Sequence, residues 1–355
     1  MKAIPVVVAL LVATSSFAQE QLRVAQPNQP VTTAQFHAGE PVNGFPNWAE
    51  RVVHEWVNRA RVDPQTEMTN CGAACAERAC YIATAPLSWN ESLNRAARFH
   101  SDEMVKQKYF THDSRCTVTD GVVNLYPAGC DGSAACACAG GVSTCGPTGC
   151  TTWNARVGMF GASPAGAIIV ATGDPNDSFN LWLNEPAATN ACGFTQQNGH
   201  RWLILTAQGA FGAGAAGKTV GEFGYGEAPY RIPSGSHYPQ QADSVQMWAN
   251  WYDAKAPRSA AAVIDGKCTS MFLKRGTATN GAWNATATGV GAGCHRYYFS
   301  FIDTSGVEVT YPSSGSLGIG SDSSCADWAG SRLNGSCSSS SPASPVSSKR
   351  RSVRH

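Results

Sequence analysis

Fourteen cysteines in 355 residues constrain this chain more than any other feature. The count is even, and the cysteines accompany 36 glycines and 19 prolines, the composition of a loop-rich chain closed by disulfides. All of them are disulfide candidates: Cys71, Cys75, Cys80, Cys116, Cys130, Cys136, Cys138, Cys145, Cys150, Cys192, Cys268, Cys294, Cys325 and Cys337. Six fall within 116–150, a glycine-rich stretch without repeated CxxC pairs or neighbouring histidines, so bridges are expected there in place of a metal cluster. Six cysteines allow 15 pairings, and the connectivity stays open. Further along, Cys268 and Cys294 are placed to bridge the middle of a strand-rich region.

Disulfides persist in oxidising compartments, and the N-terminus agrees. Lys2, the apolar run PVVVALLVA (5–13) and Ser16-Phe17-Ala18 form a secretory signal, 1–18, cut after Ala18. The run is shorter than the roughly 20 residues that span a bilayer, and no transmembrane segment is expected elsewhere. The mature chain is expected to be secreted and extracellular. Lysine plus arginine number 26 and aspartate plus glutamate 25, without the clustered positive surface that displaces counterions, so nucleic acid is excluded as a partner. At the other end, 336–355 is serine-rich with a small basic cluster, and it reads as a disordered tail.

Between these ends the periodicity changes once. Val53, Trp56, Val57 and Ala60 make one helical stripe over 50–61, stopped by Pro64. A second helix opens at Ser88-Trp89-Asn90-Glu91, read as a capping box, and carries Leu93, Ala96, Ala97, His100 and Met104 on one face. A third covers 178–185. From Arg201 the runs shorten (202–205, 210–216 and 219–225), and 226–239 reads as a linker. Beyond it Val245, Met247, Ala249 and Trp251 alternate with Gln246, Trp248, Asn250 and Tyr252, and strand runs succeed one another at 260–264, 269–273, 283–288, 296–302 and 307–311. The fold class is therefore α+β: a mixed region, 50–225, with the cysteine-rich insertion 116–150, followed by a small antiparallel β-sandwich, 236–320.

Three segments deliver polar groups from the ends of apolar runs: YFTHDS (109–114), LWLNE (181–185) and NGHR (198–201). Their order carries a resemblance. HEWVNRARVDP (54–64), PLSWNESLNRAARFHSDEMVKQKYFTHDS (86–114), WLNEP (182–186) and GHRWLIL (199–205) together resemble the CAP superfamily of cysteine-rich secretory proteins, antigen 5 and pathogenesis-related proteins, including its bacterial-type secreted members. The resemblance implies an α-β-α sandwich with a central cleft lined by two histidines and two acids. His112, Glu185 and His200 match three of these, while Ala167, in the stretch SPAGAII, stands where the family places glutamate.

The resemblance also implies the candidate cofactor and the candidate function. Some members hold a divalent metal through the two histidines, here His112 and His200, and zinc at this cleft is the one cofactor to consider. The loss of an acid weakens that expectation, because carboxylates orient metal-bound imidazoles. No catalytic residue is assigned. The expected function is non-enzymatic binding of an apolar ligand, lipid or sterol, or of an extracellular protein or glycan. The alternatives are a metal-dependent hydrolase and an adhesion module acting through the β region, which looks immunoglobulin-like. Nothing implies an oligomeric state. His100, on the apolar face of its helix, reads as a core histidine, and Cys192 as a structural cysteine. The calcium-loop pattern at 174–185 is rejected because Phe179 stands where that loop demands glycine. The aromatics of the β region read as packing.

Overall fold

The computed structural model describes residues 39–142, 150–187, 192–226, 229–320, 325–335 and 337. The stretch 1–18 expected to be a signal peptide, Cys145 and all of the serine-rich tail except Cys337 lie outside the described residues.

The first helix, α1 (Trp48–Val62), begins with a capping box that exchanges side-chain bonds between Asn47 and Glu50. Strand β1 (Ser88–Trp89) comes next, then α2 (Glu91–Lys106). Asn90 caps α2 by accepting from the Leu93 amide, because Ser88 and Trp89 are already extended and paired in a sheet. The cap expected at Ser88 therefore falls two residues later, and with Leu93 at its third helical position it is a simple cap and not a capping box. Beyond it lie α3 (Trp153–Met159), β2 (Pro164–Val170) and α4 (Pro175–Leu183). The α4 helix starts three residues earlier than the periodicity indicates, since Asp174 accepts from the Asn176 and Asp177 amides. Those residues build a helix N-terminus, in keeping with the rejection of a calcium loop.

Trp202–Leu205, expected as an extended run, belongs to α5 (Gly199–Thr206). Four apolar residues in a row fit a buried helix as well as a strand, and burial of Leu203, Ile204 and Leu205 uses three sides of one turn. Strands β3 (Ala210–Ala215) and β4 (Thr219–Gly224) then form a hairpin. The sheet order is β1-β3-β4-β2, antiparallel except for the β1–β3 pair.

Helices cover both faces of this sheet. On one side α1, α4 and α5 bury Val53, Trp56, Val57, Phe179, Trp182 and Ile204 against Ile168, Phe211 and Phe223. On the other, α2 lies against β3 so closely that a Cβ at Gly212 or Gly214 would collide with the backbone of residues 93–98. The outer side of α2 buries Leu93, Ala96 and Phe99 against the cysteine-rich insertion. The result is the expected α-β-α arrangement.

The second half is built from β5 (Gly235–Tyr238), β6 (Ser244–Tyr252), β7 (Ser259–Ile264), β8 (Lys267–Ser270), β9 (Phe272–Gly276), β10 (Asn280–Thr288), β11 (His295–Ile302), β12 (Glu308–Tyr311), β13 (Ser316–Ile319) and β14 (Trp328–Ala329). One sheet runs β5-β6-β10-β9, the other β14-β13-β11-β7-β8, with β12 also on β11. They share a core of Val245, Met247, Ala249, Trp251, Tyr297, Phe299 and Phe301. The stretch 226–239, expected to be a linker, supplies β5, whose Ser236 and His237 are buried. The single run expected over 269–273 divides at buried Met271, where the chain passes from one sheet to the other.

All described residues fall in one compact unit, 31–355. Its two halves meet on α1, which buries twelve of its fifteen residues. The second face of β6 is covered here as well. Trp248 meets the edge of Trp56, and Arg59 lies over both rings. Glu55 accepts from Ser234 Oγ at 2.7 Å and Asn250 Nδ2 at 2.8 Å. At the start of α1, Arg51 pairs with Asp327 at 2.9 Å, which ties in the C-terminal segment.

The disulfides are Cys71–Cys75, Cys80–Cys192, Cys116–Cys138, Cys130–Cys136, Cys268–Cys337 and Cys294–Cys325, and Cys150 is also bonded. No described cysteine is free. The expected Cys268–Cys294 bridge is not formed. Each of these cysteines instead bonds one from the C-terminal segment, which folds back along β11 and β8, where the Gly335 amide donates to Tyr298 Oη. Among the described residues no helix is long and apolar enough to cross a membrane.

The burial of α1 has a consequence for pH. Burial pushes the Glu55 carboxyl from 4.5 up to about 7, although Ser234 and Asn250 favour its charged form. Below pH 4.5 both folded and unfolded chains hold the proton. As pH rises from 4.5 to 7 the unfolded chain ionises first, so stability falls by on the order of 3 kcal/mol and then levels off. Glu55→Gln lacks this loss, so its urea-unfolding free energy relative to the parent protein should be higher at pH 8 than at pH 5. An unchanged difference would mean that Glu55 does not titrate as described. The disulfides carry a second expectation. Cys80–Cys192 closes a loop across 112 residues and ties the segment between α1 and β1 to the segment before α5. Replacing both cysteines with serine should lower the unfolding free energy by roughly 2–5 kcal/mol.

Candidate functional site

Two of the three polar segments meet through one carboxylate. The α4 helix ends at Leu183, and Glu185 lies just beyond it. Its Oε1 accepts from the Arg201 amide at 3.0 Å, in the first turn of α5, where free amides favour an anion. Its Oε2 accepts from His200 Nδ1 at 2.6 Å. Arg201 fixes the arrangement from below: its Nη1 donates to the carbonyls of Leu183 and Glu185, and its Nε and Nη2 grip buried Glu77 at 2.8 and 2.6 Å. The side chains of His200 and Glu185 are 32% and 12% exposed, so the pair contributes little stability and acts mainly in orientation. The bond engages Nδ1 and leaves Nε2 as the ring nitrogen not taken by Glu185.

His112 lies in the segment after α2, which is held on every side. His100 Nε2 bonds the Thr111 carbonyl at 2.8 Å, as expected of a core histidine. Arg156 Nη2, on α3, donates to the His112 carbonyl at 3.0 Å, and its Nη1 donates to Ser114 Oγ at 3.1 Å. Ser114 Oγ donates to Glu103 Oε2 at 2.8 Å, and Asp113 accepts from the Trp153 amide at 2.9 Å. Burial drives the His112 imidazole down to about 3, and positive charge at His200, His100 and Arg156 adds to the shift. His112 is therefore neutral at physiological pH, and it is close enough to His200 for their charges to oppose.

Ala167 lies on β2 and is buried. Directly across the ladder on β4 stands Glu222. Its side chain is fully buried, its Oε1 accepts from Arg156 Nη2 at 3.2 Å, and its Oε2 has no partner among the described residues. Burial pushes this carboxyl up to about 7 against the pull of Arg156. Sequence reasoning passes over Glu222, Arg156 and the Arg201–Glu77 pair. The available signal is a lone charge inside an apolar run, as in TVGEFG (219–224).

The donor set does not assemble a three-residue metal centre. Among the described residues, the only group of three or more His, Cys, Asp and Glu side chains whose ligand atoms gather within 4.8 Å of one another is Glu103, Cys116 and Cys138, and the two cysteines are bonded to each other. Glu185 is already engaged by an imidazole and an amide, which is the orienting role of an outer carboxylate. Two imidazoles, His112 and His200, remain for an ion.

Residues 83–219 match the family described as the cysteine-rich secretory protein family, CAP, and this supports placing that part of the chain in the CAP superfamily. The match spans β1 through the first residue of β4 and includes His112, Glu185 and His200. No curated protein matches the chain. The disulfides are consistent with an extracellular location, as is typical of this family.

Removing the carboxylate should release the His200 ring. In Glu185→Ala, nitrogen-15 NMR at pH 8 should show the neutral ring moving toward the Nε2–H tautomer that dominates in free histidine. A retained Nδ1–H form would show that another group orients the ring.

Proposed function

We propose that this is a secreted, bacterial-type CAP protein that works by binding: the cleft at His112, Glu185 and His200 takes an apolar ligand, a lipid or sterol. The observation carrying this reading is that the charged groups at the cleft are matched from within. His112 is held neutral, Glu185 is spent on His200 and Arg201, and Glu222 is paired with Arg156. A cleft with its charges spent internally favours a ligand that brings few of its own, because an unmatched ionic group entering it would lose hydration without compensation. Two apolar side chains sit next to the site in sequence and face outward: Phe110 and Leu181, at 46% and 56% exposure. The apolar N-terminal run and the disulfides support export. We read the β region as immunoglobulin-like on the strength of its two antiparallel sheets over one core.

Equilibrium binding of the purified full chain to sterols, fatty acids and phospholipids tests the proposal. Saturable binding is expected, with Phe110→Asp weakening it about tenfold or more, the value of one buried aromatic contact. Binding no greater than that of the denatured chain would overturn it.

A further inference from the structure

We propose that the cleft's second carboxylate has crossed the sheet: Glu222 on β4, opposite Ala167 on β2, supplies it and acts through Arg156 as a positioning residue for His112. The inference rests on the reading of this cleft as the functional site, and it adds a residue outside the family match, which ends at 219.

The geometry begins with register. Ala167 and Glu222 are direct partners in the antiparallel β2–β4 ladder. Opposed side chains in such a ladder leave the same face, with Cβ atoms about 4.5–5.5 Å apart. A carboxylate carried at 222 therefore enters the space that a glutamate at 167 would use, and alanine at 167 leaves room for it. From there Glu222 Oε1 takes one arm of the Arg156 guanidinium. The same Nη2 atom also donates to the His112 carbonyl, and the other arm reaches Ser114 Oγ. A planar guanidinium keeps its donors in a fixed fork, so the carboxylate that shares Nη2 with the His112 carbonyl also sets where Nη1 meets Ser114.

The remaining charged neighbours do not replace it. Glu103 reaches this segment through Ser114 Oγ and is shared with His100. Glu222, Arg156, Glu103, His100 and Ser114 are all fully buried, so no water competes for these bonds at the surface. The carboxylate is therefore a fixed anchor set by the sheet, on the same Arg156 nitrogen that holds the His112 carbonyl.

The test moves the carboxylate back across the ladder. Three variants of the full chain are compared: Glu222→Gln, Glu222→Ala, and Glu222→Ala combined with Ala167→Glu, which has the parent composition. The readout is the His112 ring signal in a carbon-13-labelled sample at pH 7, which needs no ligand. Glu222→Gln and Glu222→Ala are expected to shift or broaden this signal by more than a linewidth, and the transposed carboxylate is expected to restore it. If Glu222→Ala leaves Arg156 unpaired and the chain unfolds, the transposed variant should refold it. A His112 signal unmoved by Glu222→Gln would reduce Glu222 to packing and overturn the proposal. So would a transposed variant that stays perturbed or unfolded. Lipid affinity is measured separately: a parent protein that binds no lipid rejects the binding reading, while the His112 signal still decides the role of Glu222.

Discussion

The fold depends on burying a polar helix. Helix α1 carries Glu50, Arg51, His54, Glu55, Asn58 and Arg61 into places without water, and each must find a partner or destabilise the protein. They find them in different parts of the chain. Arg61 donates to the carbonyls of Ala85, Ile204 and Ala207, and Asn58 exchanges bonds with both backbone groups of Leu87. Glu50 takes Arg98 from α2 and the Ala215 amide from β3. Glu55 reaches across to Ser234 and Asn250 of the β region, and Arg51 to Asp327. The two halves are therefore joined by obligations of single side chains, and the second face of β6 is closed by a helix.

The cleft obeys the same rule on a smaller scale. Arg201 and Arg156 are both fully buried, and each ties a cleft histidine's backbone or carboxylate partner to a glutamate far away in sequence, Glu77 or Glu222. Buried guanidinium–carboxylate pairs add little net stability against an apolar replacement, but breaking one partner is costly, so they hold geometry more than they stabilise. The result is a pair of histidines whose surroundings are fixed by buried ion pairs.

Much of the first half is legible from local signals. The helical stripe of α1 and the face of α2 rest on periodicity, which adjacent residues encode, while His112, Glu185 and His200 stand out as a set only through the family resemblance. Sequence and structure part where two local readings compete. Ser88 and Asn90 are both good caps, and only pairing of β1 with β3 gives the cap to Asn90. The run Trp202–Leu205 fits helix or strand, and its place between α4 and the sheet decides for helix. Gly235–Tyr238 reads as a connector because it carries polar residues that the fold buries, and the contact of His237 Nδ1 with Tyr297 Oη exists only once β5 has joined the sheet.

By itself the sequence determined an oxidised, loop-rich α+β chain with an even set of cysteines and a histidine–glutamate–histidine order, since counts, caps and periodicity are properties of neighbouring residues. Tertiary structure alone decided that Cys268 and Cys294 turn to the C-terminal segment, that α1 packs on the second face of β6 at Trp248 and Asn250, and that Glu222 stands opposite Ala167. The reason is that disulfide geometry and sheet register are set between residues distant along the chain, and a strand shifted by one residue would send Glu222 to the other face.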